Sequence, residues 1–264
     1  MKEKMLKIMN AFHKYNSDKM AFQAFGLSDE IEYDALVVAP SYTPYKLLKD
    51  TAYRITTLKE GAYVAGYLVE KDGLKIAWIK TASGAGNCID HIAVCAELRF
   101  KKMIFIGAVG ALKKEFELGD ICTPLYSISG GYTNTYLKDS IKDFEPFEKV
   151  IPETVFIDRV IKEQAAKGRE IKKASVFCTD SIALEYLHLD EINEFRTDLI
   201  EMETASFYLM ADLLEIPSIA LLVVSDNSAT GAALVGRTPE EEEKYDMARK
   251  EILPKIIFDI STMA

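Results

Sequence analysis

Three short runs, ALVVAP at 35–40, MIFIGAV at 103–109 and IALLVV at 219–224, are apolar at every position rather than at every second one. A strand that shows one face to water alternates polar and apolar side chains, so a run without alternation belongs to a strand covered on both faces. Helical spacing appears between such runs, and strands that alternate with helices imply a central, partly parallel sheet with helices packed on both sides. The chain has 264 residues, 49% of them hydrophobic, and shows no internal repeat or low-complexity linker. One α/β domain is therefore expected.

The remaining elements follow from the same reading. Met5, Ile8, Met9 and Phe12 fall at helical spacing, so residues 1–30 are expected as a helical extension packed on the body or on a neighbouring subunit, with 31–264 as the catalytic domain. Tyr45 to Arg54 reads as helix, and the runs on either side of EKDG at 70–73 read as a hairpin. Helices are expected at about 87–98, 153–167, within IEMETASFYLMADLLE and from Pro239 onward, and strands at LGDICTPLYSIS and KASVFCT. Residues 130–150 are polar and irregular and read as a surface loop or lid.

Composition narrows the function. A net charge of -9 and a pI near 5.1 disfavour a surface that tracks nucleic-acid phosphates, which needs clustered Lys and Arg. Cys88, Cys95, Cys122 and Cys178 are scattered, which fits buried free thiols in a reducing, cytoplasmic setting and points to neither a zinc site nor a disulfide framework. No run is long enough to span a bilayer, so neither membrane nor nucleic acid is expected as a partner. A small molecule is.

Ligands of open α/β sheets gather beyond the carboxyl ends of strands, and acids stand there in this chain. Glu201 and Glu203 flank Met202 at a helix start, where the macrodipole alone would welcome a carboxylate. Asp226 is harder to explain structurally, because it follows a buried apolar run and a carboxyl so placed needs a partner or a raised pKa. Held in that way it can donate a proton near neutral pH.

The stretch IEMETASFYLMADLLEIPSIALLVVSDN resembles the E-M-E helix and S-D strand end of the nucleoside phosphorylase and nucleosidase family. GAGNCIDHIAVCAEL, IFIGAVGALKKEFELGDICTP and VFCTDSI resemble further parts of it, and the likeness runs from about Tyr33 to the C-terminus. The resemblance implies a three-layer α/β/α sandwich around a central mixed sheet, and cleavage of the bond between ribose and a purine. Ribose would lie at Glu203, Met202 and Glu201, with the base stacked on Phe177 and its N7 protonated by Asp226. Uridine phosphorylases resemble the chain less, since their strand end lacks that Asp. Arg237 stands near the place of an Arg that assists the acid. Family sites borrow residues across a dimer interface, so a homo-oligomer, a dimer or a trimer of dimers, is implied.

The attacking group stays open. Phosphorylases of the family hold phosphate with two Arg and a Ser of the protomer and an Arg lent by the neighbour; this chain has PSYTPYK at 40–46, Phe105 and Ala108 at those places. Ser41, Lys46, Lys59 and Gly107 are the candidate replacements, and positive charge at 46 and 59 tilts the expectation to phosphorolysis, with phosphate as co-substrate and no cofactor or metal. Nucleosidases of the family activate water with a Glu after the first strand, and VVAPSYTPY has none. Hydrolysis by water, and a non-catalytic nucleoside-binding homologue with a degenerate phosphate site, are the alternatives. No His stands where the family meets the ribose 5′-hydroxyl; Gln23 is the nearest substitute.

Overall fold

The computed structural model describes residues 1–50 and 52–263. Its elements, in chain order, are α1 (Glu3–His13), α2 (Met20–Phe25), β1 (Glu32–Tyr33), β2 (Ala35–Pro40), α3 (Pro44–Leu47), β3 (Arg54–Lys59), β4 (Ala65–Lys71), β5 (Leu74–Thr81), α4 (Ala85–Val94), β6 (Arg99–Phe100), β7 (Met103–Ala111) and β8 (Ile121–Ser129). There follow β9 (Lys149–Val150), α5 (Thr154–Ala166), β10 (Lys172–Cys178), α6 (Leu189–Glu194), β11 (Leu199–Glu201), α7 (Thr204–Leu214), β12 (Ser218–Asn227), α8 (Pro239–Met247) and α9 (Leu253–Thr262).

The fully apolar runs form the middle of a mixed ten-stranded sheet of order β11-β10-β8-β12-β7-β2-β5-β4-β3, with β9 beside β8. β12, β7, β2 and β5 run parallel, and their side chains are buried on both faces as the absence of alternation requires. β4 and β5 make the expected hairpin. Its two-residue turn, Asp72-Gly73, has positive φ at both positions (50° and 83°), the backbone that lets a tight turn match the strands' twist. At the other end the sheet curls on itself, because β11 pairs parallel with β10 and antiparallel with β7. β7, β12, β8, β10 and β11 thus close a ring.

One expectation changes. The helix read over 45–54 is only α3; Thr51 lies outside the described residues, and Arg54–Lys59 is an edge strand whose partly exposed side chains gave no apolar stripe. Residues 130–150 form a largely exposed, irregular surface segment as read, and the buried Asn134, which donates to Ser129 Oγ at 3.0 Å and accepts from Ser206 Oγ at 2.6 Å, ties it to α7. The N-terminal extension packs into the same core as the sheet through the buried Met5, Met9, Met20 and Phe25. Lys2 N–H donates to Leu213 O at 2.8 Å, which docks α1 on the end of α7, while Phe12 stays exposed. All four cysteines are buried and free, as expected. Among the described residues no helix is long and apolar enough to cross a membrane.

Candidate active site

A cavity of about 180 Å³ opens beyond the carboxyl ends of β2, β7 and β12 and the end of β11. Pro40, Ser41 and Tyr42 form one wall, Gly107 to Gly110 the floor, and Ser225 and Asp226 the next side. Ser83, Glu201, Met202 and Glu203 stand together on the wall, and Thr179, Ile182, Glu185 and Leu234 complete it. The sequence segments 198–204 and 225–227, far apart along the chain, meet here.

Two features of the backbone aim the acids. The register between β12 and β7 shifts between Val224 and Asp226, and this bulge turns Asp226 to face Gly110. Gly84, just before α4, has φ 102°, a conformation open to glycine, and its N–H donates to Glu203 Oε1. Ser41 holds a left-handed φ of 64° without being glycine, strain of the kind that collects at ligand sites.

Glu203 is only 6% exposed, and burial, with the charge of Glu201 added, pushes its carboxyl up to about 8 against the opposing pull of the Gly84 amide. Glu201 has a different task. Its carboxylate accepts from the N–H of Glu203 at 2.7 Å, from the N–H of Thr204 at 3.0 Å, from Thr204 Oγ1 at 2.8 Å and from Cys178 Sγ at 2.9 Å. Those bonds cap the first turn of α7, so Glu201 fixes the backbone that carries Glu203.

Burial also raises the Asp226 carboxyl, although the Ser225 hydroxyl and the charge of Arg237 both pull it down. Ser225 Oγ donates to Asp226 Oδ1 at 2.6 Å, and Oδ2 lies over Gly110. Arg237 is not part of the cavity wall. Its Nε donates to Ser225 O at 2.7 Å, its Nη1 meets Glu242 at 2.9 Å, and its guanidinium lies 4.4 Å from the Tyr245 ring centre. It steadies the strand end that carries Asp226.

Other predicted residues fall elsewhere. Phe177 packs in a separate cluster with Leu112, Ile128, Ile192 and Ile200, its ring 5.3 Å from that of Phe195. Ile200 and Ile182 line the cavity in its place. Lys46 and Lys59 are exposed and stand outside the wall, and Lys59 Nζ donates to the backbone oxygen of Gln23. Phe105, where the family's phosphate ligand would be an Arg, is fully buried against Phe207, and a Cβ on Gly107 would meet its ring at 3.0 Å. Ser41 and Gly107 do line the cavity. The wall therefore carries the acids Glu185, Glu201, Glu203 and Asp226 and, among the described residues, no Lys, Arg or His.

Glu185 was not foreseen. Its residue is 9% exposed, and burial, then the charge of Asp226, pushes its carboxyl up to about 7. Glu185 opens a short 3-10 turn, Glu185–His188, after an irregular segment, so no periodic pattern in the sequence marked it.

The sequence model of the phosphorylase superfamily matches residues 35–254. A DeoD-type purine nucleoside phosphorylase of Brevibacillus brevis is 26% identical over 160 residues, 57% of this chain and 65% of that protein. The enzyme of the same description from Geobacillus stearothermophilus is 26% identical over 130 residues, 49% of this chain and 53% of that protein. The chain thus matches between about half and two thirds of the length of these relatives. Among solved structures, the AMP nucleosidase of Bacteroides thetaiotaomicron superposes with a TM-score of 0.65 at 18% identity, covering 96% of this chain and 98% of that one. The 5'-methylthioadenosine/S-adenosyl homocysteine nucleosidase of Campylobacter jejuni gives 0.64 at 18% identity, covering 86% and 97%. At such identities these two speak for the fold alone.

Proposed function

The chain belongs to the phosphorylase superfamily, and we propose that it cleaves the N-glycosidic bond of a purine nucleoside. The observation that carries this reading is the convergence of Glu203 and Asp226, one held by Gly84 and the other aimed by a bulge, on one cavity of about 180 Å³. Glycosidic cleavage builds positive charge on the sugar and negative charge on the leaving base, so a carboxyl is wanted at the sugar and a proton donor at the base. In this assignment Glu203 and Met202 hold the ribose. The C1′–N9 bond breaks with its electron pair moving into the purine, and the proton of the Asp226 carboxyl goes to N7. The acceptor then bonds to C1′ and gives up its own proton to solvent.

Water is the acceptor that the charges favour. A phosphate dianion would enter a wall that has, among the described residues, no Lys, Arg or His to pair with it, with Phe105 filling the place of an anion ligand. The tilt towards phosphorolysis rests on Lys46, which lies outside that wall, and on Lys59 as the charge a neighbouring subunit lends. Phosphorolysis stays as a second reading because Ser41 and Gly107 do face the cavity, and because Lys59 of a neighbour in a homo-oligomer could supply the missing charge. Release of base from adenosine and inosine, followed by absorbance with and without inorganic phosphate, separates the two. Equal rates support hydrolysis; a rate that needs phosphate supports phosphorolysis. No release of any base under either condition would overturn the proposal.

A further inference from the structure

A second cleft, of about 370 Å³, has among the described residues no lining residue in common with the active cavity. It opens between the segment after α3, the end of β4 and the start of α9. Four lysines, Lys49, Lys71, Lys250 and Lys255, line it against two acids, Asp50 and Glu251. In a chain whose net charge is -9, that local surplus of cations runs against the whole. Ammonium groups gathered in one cleft repel one another, and a multivalent anion between them reverses the sign of that energy.

The lysines differ in how they are held. Lys71 is fixed: its side chain is 17% exposed, its Nζ lies 2.9 Å from Asp50 Oδ2, and it stands 4.2 Å and 4.8 Å from the ring centres of Tyr53 and Phe258. Tyr53 donates its hydroxyl to Pro254 O at 3.4 Å, which links that wall of the cleft to α9. The others keep donors to spare, since each ammonium has three. Lys49 gives one to Tyr45 O at 3.1 Å, and Lys250 shares Asp246 with Arg249. Lys255 is exposed and has no hydrogen-bond or ion-pair partner among the described residues.

We infer that this cleft binds a small anion that carries a chain of phosphates. Its volume is that of a small-molecule site, and its cations come from three separate stretches of the chain, so the matching negative charge is spread along the ligand rather than held at one point. Lysine suits such a ligand. It acts as a point charge on a flexible stem and does not impose the fixed fork of arginine, so several ammonium groups can follow a run of phosphate oxygens. Lys71, packed against two rings, offers one charge already in place, and Lys49, Lys250 and Lys255 close on the anion from either side. An inorganic polyphosphate and a nucleoside triphosphate share this chemistry.

The test is titration calorimetry on the whole chain at pH 7, with tripolyphosphate, ATP and orthophosphate as probes. Tripolyphosphate should bind at least about tenfold more tightly than orthophosphate, and its affinity should fall severalfold as salt is raised and the charges are screened. Replacing Lys250 and Lys255 together by alanine should weaken it by about tenfold or more, with the melting temperature as the check on folding. Lys49→Ala, on the opposite side, should weaken it as well. ATP that binds about tenfold more tightly than tripolyphosphate makes the ligand a nucleotide, and parity or weaker binding makes it the phosphate chain alone; either upholds the inference. No binding of tripolyphosphate, binding no tighter than that of orthophosphate, or binding that the Lys250→Ala and Lys255→Ala pair leaves unchanged overturns it.

Discussion

Gly110 and Asp226 stand opposite each other across the β7–β12 ladder, and a Cβ added to Gly110 would lie 3.0 Å from Asp226 Oδ2 and 3.1 Å from Ile200 Cγ2. The carboxyl occupies the room that the missing side chain leaves. Gly110→Ala should therefore displace Asp226 and slow base release by about tenfold or more, since small misplacements of a reacting group are costly. A melting temperature within a few degrees of the parent's, read beside the rate, would show that the loss lies in the site. An unchanged rate would mean that the position of Oδ2 is unimportant.

Asp226→Asn removes the proposed donor while keeping its shape and its bond from Ser225. Base release should fall by about a hundred- to ten-thousandfold. The burial-raised carboxyl also sets a direction with pH: the protonated form is the active one, so the parent rate should decline as pH rises through the folded-state pKa of Asp226. That alkaline decline should be missing from the residual activity of Asp226→Asn. A parent profile that instead climbs with pH would contradict the assignment of Asp226 as an acid.

Glu203 and Glu185 carry pKa values raised from 4.5 to about 8 and about 7, so the folded chain holds protons that the unfolded chain has released. Their contribution to stability is complete below about pH 4.5, where both states are protonated, and is lost as pH rises through the folded values. Glu203→Gln should flatten the fall in melting temperature between pH 5 and 8, whatever it does to turnover. Parallel curves for the parent and Glu203→Gln across that range would show that Glu203 titrates normally.

Glu201 should separate from its neighbour in a different experiment. Its carboxylate satisfies the N–H groups of Glu203 and Thr204 together with Thr204 Oγ1 and Cys178 Sγ, so Glu201→Ala leaves buried donors without partners. A loss of about 2 kcal/mol or more in denaturant unfolding is expected, larger than for an exposed helix cap. A change near zero would mean that the capping bonds are dispensable.

The legible part of this molecule was the part written in local pattern. Runs apolar at every position located β2, β7 and β12, and the turn at Asp72-Gly73 located the hairpin. Asp226 stood out because it followed such a run. What stayed hidden depends on pairing across the chain. Phe177 and Ile200 are partners in the β10–β11 register and pack in one cluster, and Ile200 alone reaches the cavity because β11 also pairs with β7, where Ile200 stands opposite Gly110. Glu185 and Asp226 lie 41 residues apart and gain their meaning from burial in one place. The charges of Lys46 and Lys59 could be counted in the sequence, but the exposed positions of α3 and the edge strand β3 direct them to solvent. Arg54–Lys59 was missed as a strand because an edge exposes much of its surface and loses the apolar signal.

The double pairing of β11 has a bearing on how the protein should fail under stress. Glu201 ends a strand that is stitched on one edge to β10 and on the other to β7, the same β7 that abuts the strand of Asp226. Glu203, two residues beyond β11, and Asp226, on β12, are in this way tied to a single closed hoop of backbone bonds, so agitation of the surrounding loops should leave their separation unchanged. Turnover on heating should persist until the hoop itself opens, so inactivation and global melting are expected at one temperature.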